Sequence, residues 1–551
     1  MGAGAGLTRR QALALLAATP AAAAAAACTR GAPSARLPAG ALVGAAFERG
    51  HRLRDREPPV LPADATRTRV PVLIVGGGVA GLSAAWRLVR AGVEDFVLLE
   101  LEDAAGGTAR AGRTAGQAHP WGAHYIAAPR REHRALVTLL DELGALEGRD
   151  AEGEPIIAEQ VLVRDPEERL YYRGRWSEGL YLHTGESAAE RAQLARFEAE
   201  VARWVGWRDA RGRRAFDLPV ARCSDDAEVR ALDGMTMAAW LDAHGLDSPR
   251  LRWLVDYACR DDYGARAEQV SAWAGLFYFC ARVRTPGADS AALLTWPEGN
   301  GRLVRHLAEA AGAPRVRTGW AVLDVDPRDD GVHVVAADAA GVLAGFVAER
   351  VIFAAPQFVA ARVLRPWRAA APAHVAAFSY GAWMVANLAL SQRPGSRGFP
   401  LAWDNVLYDG AGLGYVVATH QDGRDRGPTV ITYYHPLVDA DVHAARRRLY
   451  QGDWATWAEV ALADLAHAHP ELRGLCTRID VMRWGHAMVR PVPGLAWGGA
   501  RAAAATPLGN VHFAHTELSG VALFEEALDH GVRAAEEVLA ARGLTSPSWR
   551  A

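Results

Sequence analysis

The chain has 551 residues, half of them hydrophobic, with 61 basic and 63 acidic side chains for a net charge of −2. That length exceeds one compact core and predicts two or three domains. The near-neutral charge, with no basic run longer than three residues, argues against nucleic acid or an anionic membrane surface as partner. All 61 basic residues are arginine, so no step can rest on a lysine amine. The five cysteines show neither a C-x-x-C pair nor metal-ligand spacing, so neither a metal site nor a disulfide framework is expected.

Residues 1–28 read as an export signal. Arg9-Arg10 precede an apolar, alanine-rich stretch at 12–27, the pattern of a twin-arginine leader and too short for a membrane span of ~20 apolar residues. That places the chain in the periplasm, exported after folding. Cys28, following three alanines, resembles a lipoprotein cleavage site and is a possible lipid anchor. Residues 29–68 are rich in Pro, Gly, Ala and Arg without sustained period and read as a linker.

Residues 70–110 organise the rest of the chain. An apolar run at 70–75 passes into Gly76-Gly77-Gly78-Val79-Ala80-Gly81 and then a helical pattern at 82–91, which is strand, tight turn and helix. Gly76 permits the turn, Gly78 lets a pyrophosphate approach, and Gly81 lets helix pack on strand. A second apolar run, 96–99, ends in Glu100, 19 residues past Gly81, near the ~20-residue offset of a carboxylate on a ribose hydroxyl. The stretch predicts a bound dinucleotide.

From 132 to about 286 the pattern is mostly helical, with a short strand candidate at 170–172. A turn at 296–301 opens a helix at 302–311, followed by strands within 316–327, 331–338 and 349–356. From about 358 to 478 strands alternate, with a helix from 454 to 469, and the chain closes on a strand at 510–513 and a helix at 525–542.

Four of these motifs, in order, resemble the flavin-containing amine oxidase superfamily, which also holds protoporphyrinogen oxidases and carotenoid desaturases. They are the fingerprint with Glu100 and Gly106-Gly107, the segment WPEGNGRLVRHLAEA, the strand Arg350-Val351-Ile352-Phe353-Ala354-Ala355-Pro356, and VHFAHTELSGVALFEEALDHGVRAAEEVL. The resemblance implies an α/β fold: a doubly wound, Rossmann-like FAD-binding domain (69–130, 287–357 and 479–551) with an inserted mixed α+β substrate domain (131–286 and 358–478). It implies hydride transfer from a C–N or C–C bond to flavin N5, with oxygen or an electron carrier as final acceptor. Gly76, Gly78, Ala80 and Gly81 would sit on the pyrophosphate and Glu100 on the ribose. Gly106, Gly107 and Arg110 would line the phosphate and ribityl path, and Val322 the adenine edge. His515 and the helix start at Phe524 and Glu525 would finish the site around the flavin.

The chain departs from that pattern at Thr108, where the family has arginine and where Arg110 or Arg113 would substitute. It departs again at His515-Thr516, which replace a Gly-acid pair, and at Glu526, which replaces glycine. No cysteine lies beside the closing motif, so FAD is expected to be noncovalent. Candidate positioning groups for a small-molecule substrate are His124, Tyr125, Trp484 and His486. A histidine beside a flavin would tune protons near neutral pH. Trp383, Trp403, Tyr433 and Tyr434 would supply aromatic walls suited to apolar or cationic ligands, and Asp261-Asp262 are either a cation site or a solvated helix end. An amine oxidase, a desaturase or protoporphyrinogen-oxidase-like enzyme on an apolar substrate, and a flavin-binding partner subunit without turnover all remain open at the level of sequence.

Overall fold

The computed structural model describes residues 37–44, 46–55, 61 and 66–550. The twin-arginine motif and Cys28 lie outside the described residues.

The first layer is a seven-stranded sheet. Val316–Arg317, Phe96–Leu99, Arg67–Val75 and Leu343–Phe353 run in parallel, and Val511–Phe513 pairs with the last residues of Leu343–Phe353. Gly331–Ala337 and Ala321–Arg328 extend the sheet antiparallel. The strand Arg67–Val75 is buried on both faces over its second half, which is why its sequence is continuously apolar rather than alternating. Three helices, Val79–Arg90, Gly301–Ala311 and Phe524–Ala541, cover one face and share a core built on Trp86, Leu98 and Leu528.

The second layer is an eight-stranded sheet in the order Ala39–Val43, Cys476–Val489, Tyr380–Leu390, Thr429–Leu437, Tyr415–Val417, Asp404–Leu407, Glu168–Tyr172 and Arg175–Glu178. A helix-rich layer flanks it, from Ala188–Gly206, which opens on a Ser187–Glu190 capping box, to Pro249–Tyr263 and Ala272–Cys280.

Two expected boundaries need correction. The stretch 29–68 is not simply a linker, because Ala39–Val43 pairs in parallel with Cys476–Val489, and Phe47–Asp55 is a helix. The break at 478/479 falls inside a single strand, because Cys476–Val489 runs unbroken against Tyr380–Leu390 and belongs to the eight-stranded sheet.

Candidate functional site

The fingerprint turn leaves Gly76 at φ +99°, with its N–H donating to the Leu99 carbonyl at 2.8 Å. A side chain at Gly76 would meet the Ala354 carbonyl 2.7 Å away. No side chain caps the helix Val79–Arg90, and a Cβ placed on Gly78 would meet nothing within 4 Å. Free N–H groups at a positive helix end therefore face open space. Gly81 lies too close to the Gly76 carbonyl to carry a side chain. The Ala80 side chain points into the core at 4% exposure, leaving only its backbone N–H to a phosphate.

Glu100 bridges this turn. One of its carboxylate oxygens accepts from Gly77 N–H at 2.6 Å and the other from Glu102 N–H at 2.7 Å, while burial raises its pKa. Gly106, at φ +121°, donates to the Gly77 carbonyl at 2.7 Å and brings Gly107 alongside Gly78. Of the two candidate arginines, Arg110 turns inward, its guanidinium 5.1 Å above the Trp484 ring and 3.7 Å from Glu102. Arg113 instead donates to Gly116 at an exposed hairpin tip. Val322 is buried in the sheet, opposite Ala336.

At the closing motif, the helix Phe524–Ala541 also starts without a side-chain cap. Glu525 turns its carboxylate to Ala127 N–H at 3.3 Å. The departures from the family pattern each have a local use. Thr516 donates to the carbonyls of Val521 and Leu523, and His515 Nδ1 accepts from Glu517 N–H, so this pair shapes the loop before the helix. Glu526, fully buried, accepts from Val220 N–H at 2.7 Å and from the Ser519 hydroxyl, tying the helix-rich layer to the helix start. Thr108 receives Ala123 N–H at 3.1 Å. Two uncapped helix N-termini, a glycine turn open on one side and a carboxylate across it fit the phosphates and ribose of FAD.

Residues 121–125 then run beneath a cluster of aromatic side chains, clamped by four side chains. Trp484 Nε1 donates to the Trp121 carbonyl at 2.7 Å, Tyr434 to Gly122 at 2.9 Å, Thr295 to His124 at 2.6 Å, and Asn300 to Tyr125 at 2.9 Å. His124 packs among Tyr125, Trp403 and Tyr434, with ring centroids 5.0–5.2 Å away. Desolvation pushes both His124 and His515 down to about 4. Both rings are therefore neutral near pH 7, against the expectation that they would titrate there. Strand alternation also corrects Tyr433, whose hydroxyl donates to Asp464 at 2.7 Å on the opposite face of the sheet. Trp383 packs beside Gly264, and His486 stacks on Phe358, 4.3 Å away, apart from the His124 cluster.

The sequence had left Asp261-Asp262 open between a cation site and a solvated helix end. Both residues lie in the last turn of the helix Pro249–Tyr263. Asp262 is buried and pairs with Arg282 at 3.1 Å, and Asp261 is desolvated. Sequence reasoning missed Glu168 and Asp404, which stand directly opposite each other on neighbouring parallel strands. Among the described residues none of Glu168, Asp261 and Asp404 has an arginine or histidine within 4.0 Å, and desolvation raises all three pKa values, aided by Glu167 at Glu168, which reaches about 7, by Asp262 at Asp261, and by Asp261 and Glu168 at Asp404. Burial, and after it Asp404 and Asp261, push the Tyr434 phenol up, placing these two carboxylates near the aromatic wall. No local signal marks this set, because it comes from three separate elements.

A family model described as flavin containing amine oxidoreductase matches residues 79–539. Coproporphyrinogen III oxidase of Mycobacterium tuberculosis is 32% identical over 167 residues, covering 29% of this chain and 35% of the relative, so the match spans about a third of that protein. Putrescine oxidase in a putrescine-bound structure superposes with TM-score 0.63 at 20% identity, over 86% of this chain and all of the other. Cyclohexylamine oxidase of Brevibacterium oxydans superposes with TM-score 0.60 at 19% identity, over 86% and 99%.

Proposed function

The chain belongs to the family of flavin containing amine oxidoreductases, FAD-dependent enzymes, and from that premise we propose that it binds an amine as its ammonium, takes the ammonium proton onto the carboxylates of the site, and removes a hydride from the carbon beside the nitrogen so freed. The carrying observation is the trio Glu168, Asp261 and Asp404, half-buried carboxyl groups near Trp403 and Tyr434 with no arginine or histidine within 4.0 Å among the described residues. Like charges in such a space repel and lose hydration, and a bound ammonium relieves both. Aromatic faces add cation–π attraction. An apolar desaturase substrate would leave that cost in place. When bound, FAD supplies the two-electron acceptor, reoxidised by oxygen or an electron carrier.

The remaining work falls to side chains. Glu168, Asp261 and Asp404 draw in the amine, the aromatic ring of His124, Trp403 and Tyr434 excludes water, and neutral His124 adds no competing charge. The clamps on residues 121–125 fix this wall against the Thr108 carbonyl and hence against the glycine pair. Noncovalent FAD, twin-arginine export and a lipid on Cys28 belong to the same proposal, supported by the sequence.

The test is anaerobic bleaching of the purified yellow protein by a panel of amines and apolar substrates. A cationic amine should bleach it, and Glu168→Gln or Asp404→Asn should raise KM roughly ten- to hundredfold with kcat within a few-fold, the scale of a lost charge-assisted contact. Bleaching only by an apolar substrate would overturn the amine reading. No bleaching by any candidate, with copurification of a second protein, would favour the partner-subunit reading.

A further inference from the structure

A cavity lies between the helix-rich layer and the first turn of the helix Phe524–Ala541. Four arginines line it, Arg130, Arg214, Arg282 and Arg284, against two carboxyl groups, Asp217 and Glu525. Three of the four have acidic partners: Arg130 has Asp217 at 3.3 Å, Arg282 has Asp262 at 3.1 Å, and Arg284 has Glu154 at 3.4 Å. Asp217 also answers Arg222 at 3.2 Å.

Arg214 has no carboxylate within 4.0 Å among the described residues, although it is only 5% exposed. Its guanidinium donates to two backbone carbonyls, Cys280 at 3.2 Å and Val283 at 2.6 Å. Cys280 ends the helix Ala272–Cys280 and Val283 follows in the turn beyond it, and a helix C-terminus carries only about half a negative charge. The Arg214 Nε–H is buried without a partner. So is Nε2 of His133, a second side chain of the same wall and also 5% exposed.

Asp217, in the same wall, attracts Arg214 only from beyond 4.0 Å and is already shared by Arg130 and Arg222, so this buried guanidinium is under-compensated, which is costly, and each wasted buried donor adds to the cost. We propose that this cavity binds a small monovalent anion of halide size, held by Arg214 Nε–H and His133 Nε2–H. The anion joins the helix-rich layer, through Arg214, to the segment that leads from the glycine pair into the helix Arg134–Glu142, through His133. Arg282 links this cavity to the aromatic cluster, its guanidinium 5.5 Å from the Tyr125 ring centroid.

In the experiment, the full-length flavoprotein is exchanged into sodium gluconate and titrated with sodium chloride or bromide at constant ionic strength while its melting temperature is followed. A saturable rise of about 2 °C or more with either halide is expected, absent from Arg214→Met. Arg305→Met, which alters an exposed arginine paired with Glu298, should keep the rise. Equal melting in halide and gluconate, or a rise that Arg214→Met retains, overturns the proposal. If Arg214→Met fails to fold, bromide-grown crystals of the unaltered protein decide. Anomalous signal in the cavity supports the site, and signal confined to the surface, an adventitious ion only, refutes it.

Discussion

Glu100 shows how one residue was legible in the sequence while its partners were not. Its distance from Gly81 points to a ribose, and both of its oxygens take backbone N–H groups, so the carboxylate that the resemblance assigns to the ribose also builds the turn. Glu100→Gln keeps an acceptor for Gly77 and loses the charge. A charge-assisted bond contributes about 1.5–3 kcal/mol, so flavin should bind roughly ten- to hundredfold more weakly, read from the recovery of free flavin fluorescence. Unchanged retention would show that Glu100 serves the turn alone. Glu168 carries a pH signature. With its carboxyl held near 7 by burial and by Glu167, it is neutral below that pH and charged above it. Attraction for a cationic amine, and with it kcat/KM, should therefore climb between pH 6 and 8, and Glu168→Gln should remove that part of the rise. Nothing near Glu168 in sequence announces this, since Asp404 stands 236 positions away and meets it only through strand register.

Elements whose pattern is complete within a dozen residues were readable: the strand Arg67–Val75, the helix Val79–Arg90, and the closing strand and helix. Ala39–Val43 was not, because AGALV becomes a strand only by pairing with Cys476–Val489, more than four hundred residues on. The boundary drawn through that partner strand failed for the same reason. Glu526 illustrates a departure that only the element explains, since it anchors the start of the closing helix to Val220. Burial raises its carboxyl from 4.5 to about 8. Between those values the folded protein holds a proton that the unfolded chain has released, so this group's contribution to stability falls as pH rises from about 4.5 to 8 and is level above. Glu526→Gln abolishes that slope. Its melting temperature relative to the unaltered protein should be higher at pH 8 than at pH 5. Glu526→Ala leaves Val220 N–H unpaired and should lose about 1–3 kcal/mol at either pH.

On the scale of the molecule, the two sheets meet through a few contacts, and the N-terminal arm is one of them. Its strand Ala39–Val43 edges the eight-stranded sheet, while just beyond it Ala46 N–H donates to both oxygens of Glu102 at 2.8 and 2.9 Å. Arg49 donates to the Leu101 carbonyl at 2.6 Å and to Asp103 at 2.8 Å. The arm thus spans from one sheet to the loop that follows Glu100, where the resemblance puts the adenosine ribose, and Glu102 also faces Arg110. Flavin and arm then stabilise the same loop, and whatever binds only the folded form makes local opening rarer. Glu102→Ala frees the arm at Ala46. Trypsin should then cut faster after Arg49 or Arg52, and flavin should leave sooner on dilution. Added FAD should slow the cutting in the unaltered protein more than in the variant, because the variant has lost the link between loop and arm. Equal cleavage rates with and without FAD in both proteins would mean that the arm holds the sheets together independently of the cofactor.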